Sequence, residues 1–402
     1  MTQRHVLDGL IGMIVLLGSA WMLYRPKVQQ SSRYQATVVP LANIMDVGFL
    51  VMSPIIVVVV GYLAPAFMLG ICLIAMATGL VMAYNIRYYE PLIGSPDRVH
   101  SVAAWARWSL FGASMVNIAY YVQLLMTLVL LPFGWYTQDR VTYTSVILLI
   151  IVIVIGYQGH LPALNKLGDR ATAFNLAALF AVLAAFAVYN VLEAIDGNFN
   201  FPSYDPVIDA EAFRKILGLF AMVQGFEASR YVGARFGAEE RVSTMRLAQV
   251  VATVVFVGLI ALVLLPFGQF RPAADATAIF KVSKEVAFYL PWLIMLVAIG
   301  SQVSAITNAT SSRSDLLIEA TRQAVPRKFT FPILLVPAIM IVIFTDVTDA
   351  VAIASRVFAL YFVLQSIIAV TLATRAKSWP AVVGISAVGL TMACVTIFGL
   401  PI

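Results

Sequence analysis

The chain has 402 residues, of which 61% are hydrophobic and 11% charged, with a net charge of +6. A soluble domain runs near half apolar and a quarter charged, so a water-soluble globular protein is excluded; the mean hydropathy of +0.91 agrees. Two cysteines (Cys72, Cys394) and three scattered histidines (His5, His100, His160) supply neither a disulfide framework nor a metal-ligand spacing. Basic inner loops are what a multispanning protein needs for orientation, so nucleic acid is set aside as a partner in favour of the lipid bilayer.

Apolar windows bounded by Gly, Pro and charged residues predict an all-α polytopic membrane protein of about twelve transmembrane helices. They fall near 7–24, 42–61, 66–85, 108–132, 142–157, 171–192, 213–234, 247–267, 286–311, 329–345, 350–373 and 379–400. The first has no small-x-small cleavage site and only a weak basic leader, so it reads as a retained helix rather than a signal peptide. Counted over alternate loops, eighteen Lys and Arg lie on one side of the membrane and seven on the other, with Arg356 inside a span. The positive-inside bias makes the richer side cytoplasmic and both termini non-cytoplasmic. A bacterial inner (cytoplasmic) membrane is the expected location.

The longest polar stretch, 194–212, separates five spans over 42–192 from five over 213–373. The expected organisation is an extra N-terminal helix with its cytoplasmic loop over 1–41, a ten-helix core over 42–373, and a C-terminal helix within 374–402. Each five-helix group opens on an interrupted helix, the sequence pointer to a 5+5 inverted-repeat secondary transporter.

The first interruption reads Ile44-Met45-Asp46-Val47-Gly48-Phe49, with Pro54 following. Gly48 permits unusual backbone angles, and Pro54 leaves a carbonyl near residue 50 unpaired. The stretch is either unwound, exposing amides and carbonyls to a ligand, or a proline kink in which Asp46 caps freed N–H groups. The second interruption reads Val223-Gln224-Gly225-Phe226-Glu227-Ala228-Ser229-Arg230. Arg230 lies three residues beyond Glu227, so it either neutralises the acid or leaves it facing a midplane cavity. A lone charge at mid-membrane costs roughly 2.5–3.5 kcal/mol on insertion scales, so each needs a partner, water or a function.

Two further groups stand out. Asn117, Tyr120, Tyr121 and Gln123 can wall a cavity or simply pack. Ser304, Thr307, Thr310 and Ser311 recur at i, i+3, i+6 and i+7, a face suited to close helix packing or to an ion. The candidate substrate contacts are Asp46, Val47, Gly48, Gln224, Gly225, Phe226, Glu227, Asn117 and Tyr121. The candidate coupling-ion ligands are Asp46, Glu227, Thr307, Thr310 and Ser311. No cofactor or resident metal is expected beyond a coupling H+ or Na+, and no cluster suits catalysis.

These residues resemble the amino acid–polyamine–organocation superfamily over about 40–373. Met45 to Pro54 is similar to its first-helix G-S-G-I-F-x-x-x-P pattern at Gly48 and Pro54, and Gln224 to Ala228 to its sixth-helix G-F-E-A pattern. Arg241 falls on the arginine of the N-P-x-R segment. Ser312-Arg313, Leu316-Leu317, Ala320, Arg322 and Pro326 to Phe329 resemble S-R-x-L-x-x-A-R-D-x-x-x-P-x-x-F, and 159–175 resembles the fourth-to-fifth helix connection. The resemblance implies alternating access, with substrate held between the unwound middles of the spans at 42–61 and 213–234. Asp46 departs from the pattern, standing where the first glycine of G-S-G belongs. A carboxylate there repels a substrate carboxylate by roughly 4 kcal/mol at 4 Å and an effective dielectric of 20. The penalty vanishes if Asp46 is protonated, which couples transport to pH, or if the substrate is an amine or a cation. The expectation is therefore a proton-coupled carrier of an amino acid or organic amine. The alternatives are a monovalent-cation (potassium-like) transporter and a transport-incompetent sensor or partner subunit.

Overall fold

The computed structural model describes residues 3–94, 97, 99–159, 161–198, 208–233, 235–270, 277–321 and 323–400, with side chains left aside at 3–9, 51–52, 161–172 and 319. His160 and the side chains of 161–172 within the 159–175 segment lie outside this set. So do 199–207 of the outer loop, and Arg98, Arg271 and Arg322 from the charge count.

Helices α1 (Gln3–Leu23), α2 (Pro26–Gln29) and α3 (Ser32–Ile44) precede the first interruption, and α4 (Gly48–Val60) follows it. Then come α5 (Ala64–Tyr88), α6 (Val99–Leu130), α7 (Gln138–Tyr157) and α8 (Leu161–Ile195). The second group opens with α9 (Ala210–Gly218) and two 3-10 segments, Phe220–Val223 and Phe226–Val232. It continues with α10 (Ala238–Phe270), α11 (Ala278–Val286), α12 (Leu290–Ala320), α13 (Arg327–Phe344) and α14 (Val347–Arg375), and α15 (Trp379–Phe398) closes the chain. Several starts are fixed by side-chain caps: Ser31, Thr137, Asp209 and Asp346 each accept the N–H three residues ahead.

Among the described residues, nine helical runs are long and apolar enough to cross a membrane. One of them, Gly48–Leu92, joins α4 and α5 across the left-handed Gly61 (φ +58°). The described apolar part of α1, Leu10–Leu23, is shorter, and the segment around 210–232 is interrupted. With these resolved, the twelve predicted segments appear in order. Large apolar side chains such as Leu17, Ile147, Val254, Met340 and Leu390 point outward, as lipid-facing surfaces require.

The packing is reciprocal. α5 lies on α10, α6 on α12 and α7 on α13, so three helices of the first group touch their counterparts in the second; α8 lies on α12 as α14 lies on α6. That pattern is what two five-helix groups related by a pseudo-twofold axis produce. α1 packs outside this core on α8, and α15 packs on α14.

Two details correct the sequence reading. The first broken span begins at Ser32 rather than near 42. Its inner half carries Arg33, Gln35 and Thr37, and it packs on α10 and on the 3-10 segment 226–232, so it escapes an apolar window. α11 falls in a stretch read as loop. At nine residues it is far too short to span, and it buries Ile279, Val282 and Val286 while packing on α12 and α4.

Candidate functional site

The two interruptions meet at the centre of the bundle. α3 stops at Ile44, Met45 to Val47 are unwound, and α4 restarts at Gly48. Asp46 bridges the gap, its Oδ1 accepting the Gly48 N–H at 2.7 Å. Ser301 Oγ of α12 accepts the Val47 N–H at 3.1 Å, and Asn175 Nδ2 of α8 donates to the Met45 carbonyl at 3.3 Å. Asp46, Val47 and Gly48 are all buried, and the Tyr120 hydroxyl sits where a Gly48 Cβ would stand.

At the second interruption the chain passes from 3-10 through Gln224 and Gly225 and back into 3-10 at Phe226. Gly225 has φ +112°, and a Cβ on it would lie 2.5 Å from the carbonyl carbon of Asn43 in α3. Only glycine satisfies both the left-handed backbone and this backbone-to-backbone approach. Glu227 Oε2 accepts the Gly225 N–H at 2.8 Å, and the Phe226 ring stacks on Phe362 of α14 with centroids 5.2 Å apart. Both breaks are therefore unwound and capped by their own carboxylates at once, so the two sequence readings of the first break describe one geometry.

Neither acid has an ion-pair partner among the described residues. Arg230 turns away from Glu227, bonding the Gln365 side-chain oxygen and lying 5.2 Å over the Tyr89 ring. Arg356 donates to the Gly399 carbonyl at 2.6 Å, tying α14 to the C-terminal end of the chain. Arg241 does the structural work at the second break. Buried on α10, it grips both carboxylate oxygens of Glu90 at 3.0 and 2.6 Å and donates to the carbonyls of Arg230 (3.0 Å) and Phe236 (3.1 Å). It thus satisfies acceptors left open where the 3-10 segment ends.

A cavity of about 370 Å³ runs from the second break toward the end of the bundle that carries the basic loops. Asn117, Tyr121, Gln224, Gly225, Glu227 and Ser311 of the predicted set line it; Asp46, Val47, Gly48, Phe226, Thr307 and Thr310 do not. Asn117 Nδ2 donates to the Tyr121 hydroxyl at 2.7 Å, while the Thr307 and Thr310 hydroxyls donate to carbonyls of their own helix, Val303 and Ile306. Gln224 is 5% exposed, and its buried Oε1 has no hydrogen-bond partner among the described residues. Sequence reasoning missed Asn43, Ser114, Tyr231 and Arg313 in this wall. Arg313 follows Thr310 by three residues and Ser114 precedes Asn117 by three, so extending each polar face by one turn was the available signal. A larger void of about 470 Å³ between α5, α9 and α15 is lined by apolar side chains such as Phe67, Ile216 and Val395 and offers no charge to a polar solute.

Outside the membrane, exposed ion pairs tie the basic ends together. Arg375 and the Val99 N–H hold Asp97 down to about 2, and Arg87 likewise lowers Glu239.

A family model described as "APC superfamily transporter" matches residues 26–399. An uncharacterized protein of Aquifex aeolicus (strain VF5) is 30% identical over 354 residues, covering 86% of this chain and 85% of that protein. Two solved structures share the fold. A Na+-coupled sialic acid symporter, substrate-bound and outward-open, superposes with a TM-score of 0.56 at 12% identity, over 100% of this chain and 99% of that one. The manganese transporter of Eremococcus coleocola, in complex with an aromatic bis-isothiourea compound, gives 0.53 at 14% identity over 90% and 85%. With the model spanning nearly the whole chain, and its broken helices meeting over a polar cavity, this integral multi-pass membrane protein belongs to the APC superfamily of transporters.

Proposed function

We propose that the chain is a proton-coupled secondary active transporter of an amino acid or organic amine, working by alternating access in a bacterial inner membrane and carrying out no enzymatic reaction. Residues 42–373 form the transport core in two halves, 42–192 and 213–373, with 1–41 and 374–402 flanking it. The observation that carries this reading is the cavity at the second break, lined by Gln224 and by Glu227, an acid with no ion-pair partner among the described residues. Glu227 receives the cationic end of the substrate. Asp46, enclosed behind the cavity wall, is the group that loads and releases the coupling proton. Under the positive-inside orientation the cavity opens to the cytoplasm, so this conformer faces inward.

The relatives bear on the alternatives. The symporter's sodium enters as a second candidate coupling ion, with Ser311 in the cavity wall and Thr307 and Thr310 on the same helix as its oxygen donors. Manganese is not our reading: among the described residues no group of three or more His, Cys, Asp or Glu is placed to hold a metal.

The test is uptake into proteoliposomes driven by an imposed pH gradient. Asp46→Asn and Glu227→Gln keep the oxygen that caps each break and remove the charge. We expect each to abolish gradient-driven uptake at unchanged expression and thermal stability. Normal uptake by both variants sinks the reading; uptake driven by a sodium gradient alone moves the coupling to Na+.

A further inference from the structure

An anion arriving at the two breaks finds three of their amide donors taken. The amides of Val47, Gly48 and Gly225 are held by Ser301, Asp46 and Glu227. A substrate carboxylate placed there must displace a built-in acceptor, two of which are acids. The cavity carries its cationic donor elsewhere, on α12. Arg313 donates from Nε to Ser114 Oγ at 2.7 Å, and its guanidinium lies 5.7 Å from the Tyr231 ring centre. This pins the side chain at one end, and no acidic partner for the two Nη groups is described among the described residues. The other charges in the wall do not compete: Asp315 is bonded by Arg327, and Arg235 is exposed and lies beside Phe236. The cavity thus has an acceptor end, Gln224 and Glu227, and a donor end, Arg313.

We propose that Arg313 binds the carboxylate of a zwitterionic substrate, an α-amino acid whose ammonium group lies at Glu227 and Gln224. The assignment rests on the carrier reading above and deepens it by choosing amino acid over amine. Glu227, Gln224 and Arg313 line the same cavity, and the Arg313 charge is near enough to act on the Glu227 carboxylate without pairing with it, so one small zwitterion can address both ends. Arg suits the task because its fork meets a carboxylate with two parallel N–H groups, and Ser114 holds the fork in place before the ligand arrives.

The experiment measures binding to the purified protein by thermal shift and equilibrium dialysis, using L-amino acids each paired with its decarboxylation product. The pairs are leucine with isopentylamine, phenylalanine with phenethylamine, and lysine with cadaverine. Wild type is expected to bind the amino acid of at least one pair about 10- to 100-fold more tightly than the amine, the worth of one charge-assisted contact. Arg313→Gln is expected to lose that preference while keeping its affinity for the amine, which also shows that the variant is folded. Arg313→Lys, which keeps the charge and loses the fork, and Ser114→Ala, which frees it, are expected to lie between. Unchanged amino acid binding by Arg313→Gln and Arg313→Lys overturns the assignment and leaves the carrier reading standing. Equal binding of amine and amino acid by wild type does the same. Wild type that binds no member of any pair overturns both.

Discussion

At the first break Asp46 caps the amide two residues ahead of it, and at the second Glu227 caps the amide two residues behind it. The caps run in opposite chain directions, a departure from the two-fold relation of the two halves, and the surroundings differ as well. Around Asp46 the packing is closed, with Ser301 on Val47, Asn175 on Met45 and the Tyr120 hydroxyl over Gly48, and the polar cavity does not reach it although Asn175 keeps its Oδ1 unbonded. Around Glu227 the wall is open, with Gln224 Oε1 unpartnered and the cavity beside it. One local motif therefore gives an enclosed acid in one half and a cavity-facing acid in the other. The difference comes from what α6, α8 and α12 lay over each break.

The comparison breaks first at Arg241. Arg241→Ala leaves Glu90 without its buried partner and strips the carbonyls of Arg230 and Phe236, affecting only the second break. A loss of about 3–5 kcal/mol is expected, seen as a collapse of the monodisperse peak or a large fall in Tm in detergent. Next come the two glycines. Gly225→Ala combines a left-handed backbone with a clash against the Asn43 backbone, so about 3 kcal/mol is expected. Gly48→Ala meets the far end of Tyr120 and the Asp46 carboxylate, which can shift, so about 1 kcal/mol is expected, partly recovered by Tyr120→Phe. Equal Tm losses at the two glycines would contradict the asymmetry.

Removing the caps sharpens it further. Asp46→Ala strands the Gly48 N–H in a closed site and should lower stability by about 1–2 kcal/mol. Glu227→Ala leaves the Gly225 N–H beside a cavity where water can accept it, so a loss below about 1 kcal/mol is expected in the same unfolding assay. The smallest effect lies outside the membrane. Asp97 and Glu239 have folded pKa values below their unfolded ones, so their stabilisation is complete above about pH 5 and fades as pH falls, for Asp97 toward 2. An Asp97→Asn/Glu239→Gln double variant should melt slightly below wild type at pH 7, with the gap closing through that window. Both pairs lie at helix ends on the surface, so the shift is small and shrinks with added salt.

Much of this was legible in the chain. The order of the spans follows from hydrophobic length, and both breaks were marked by a glycine beside an acid in an apolar run. The inner half of the first broken span was not legible: Ser32 to Ile44 is polar enough to read as loop, and it is helical because α10 and the 3-10 segment 226–232 cover it. Arg230 lies within the second interruption and Arg241 shortly after it in the chain. Their roles separated only in three dimensions, Arg230 settling on Gln365 and Tyr89 and Arg241 on Glu90.

By itself the sequence determined that this is a many-spanning membrane protein with two interrupted helices, because bilayer thickness and backbone hydrogen bonding dictate run length and make every interruption conspicuous; the transporter family came from the resemblance of its motifs. Only the tertiary structure decided which acid faces the cavity, which arginine stands opposite it, and where the amides freed by unwinding find acceptors. Those outcomes depend on side chains brought together from helices far apart in the chain, as Ser301 meets Val47 and Ser114 meets Arg313, and no local pattern encodes such pairings.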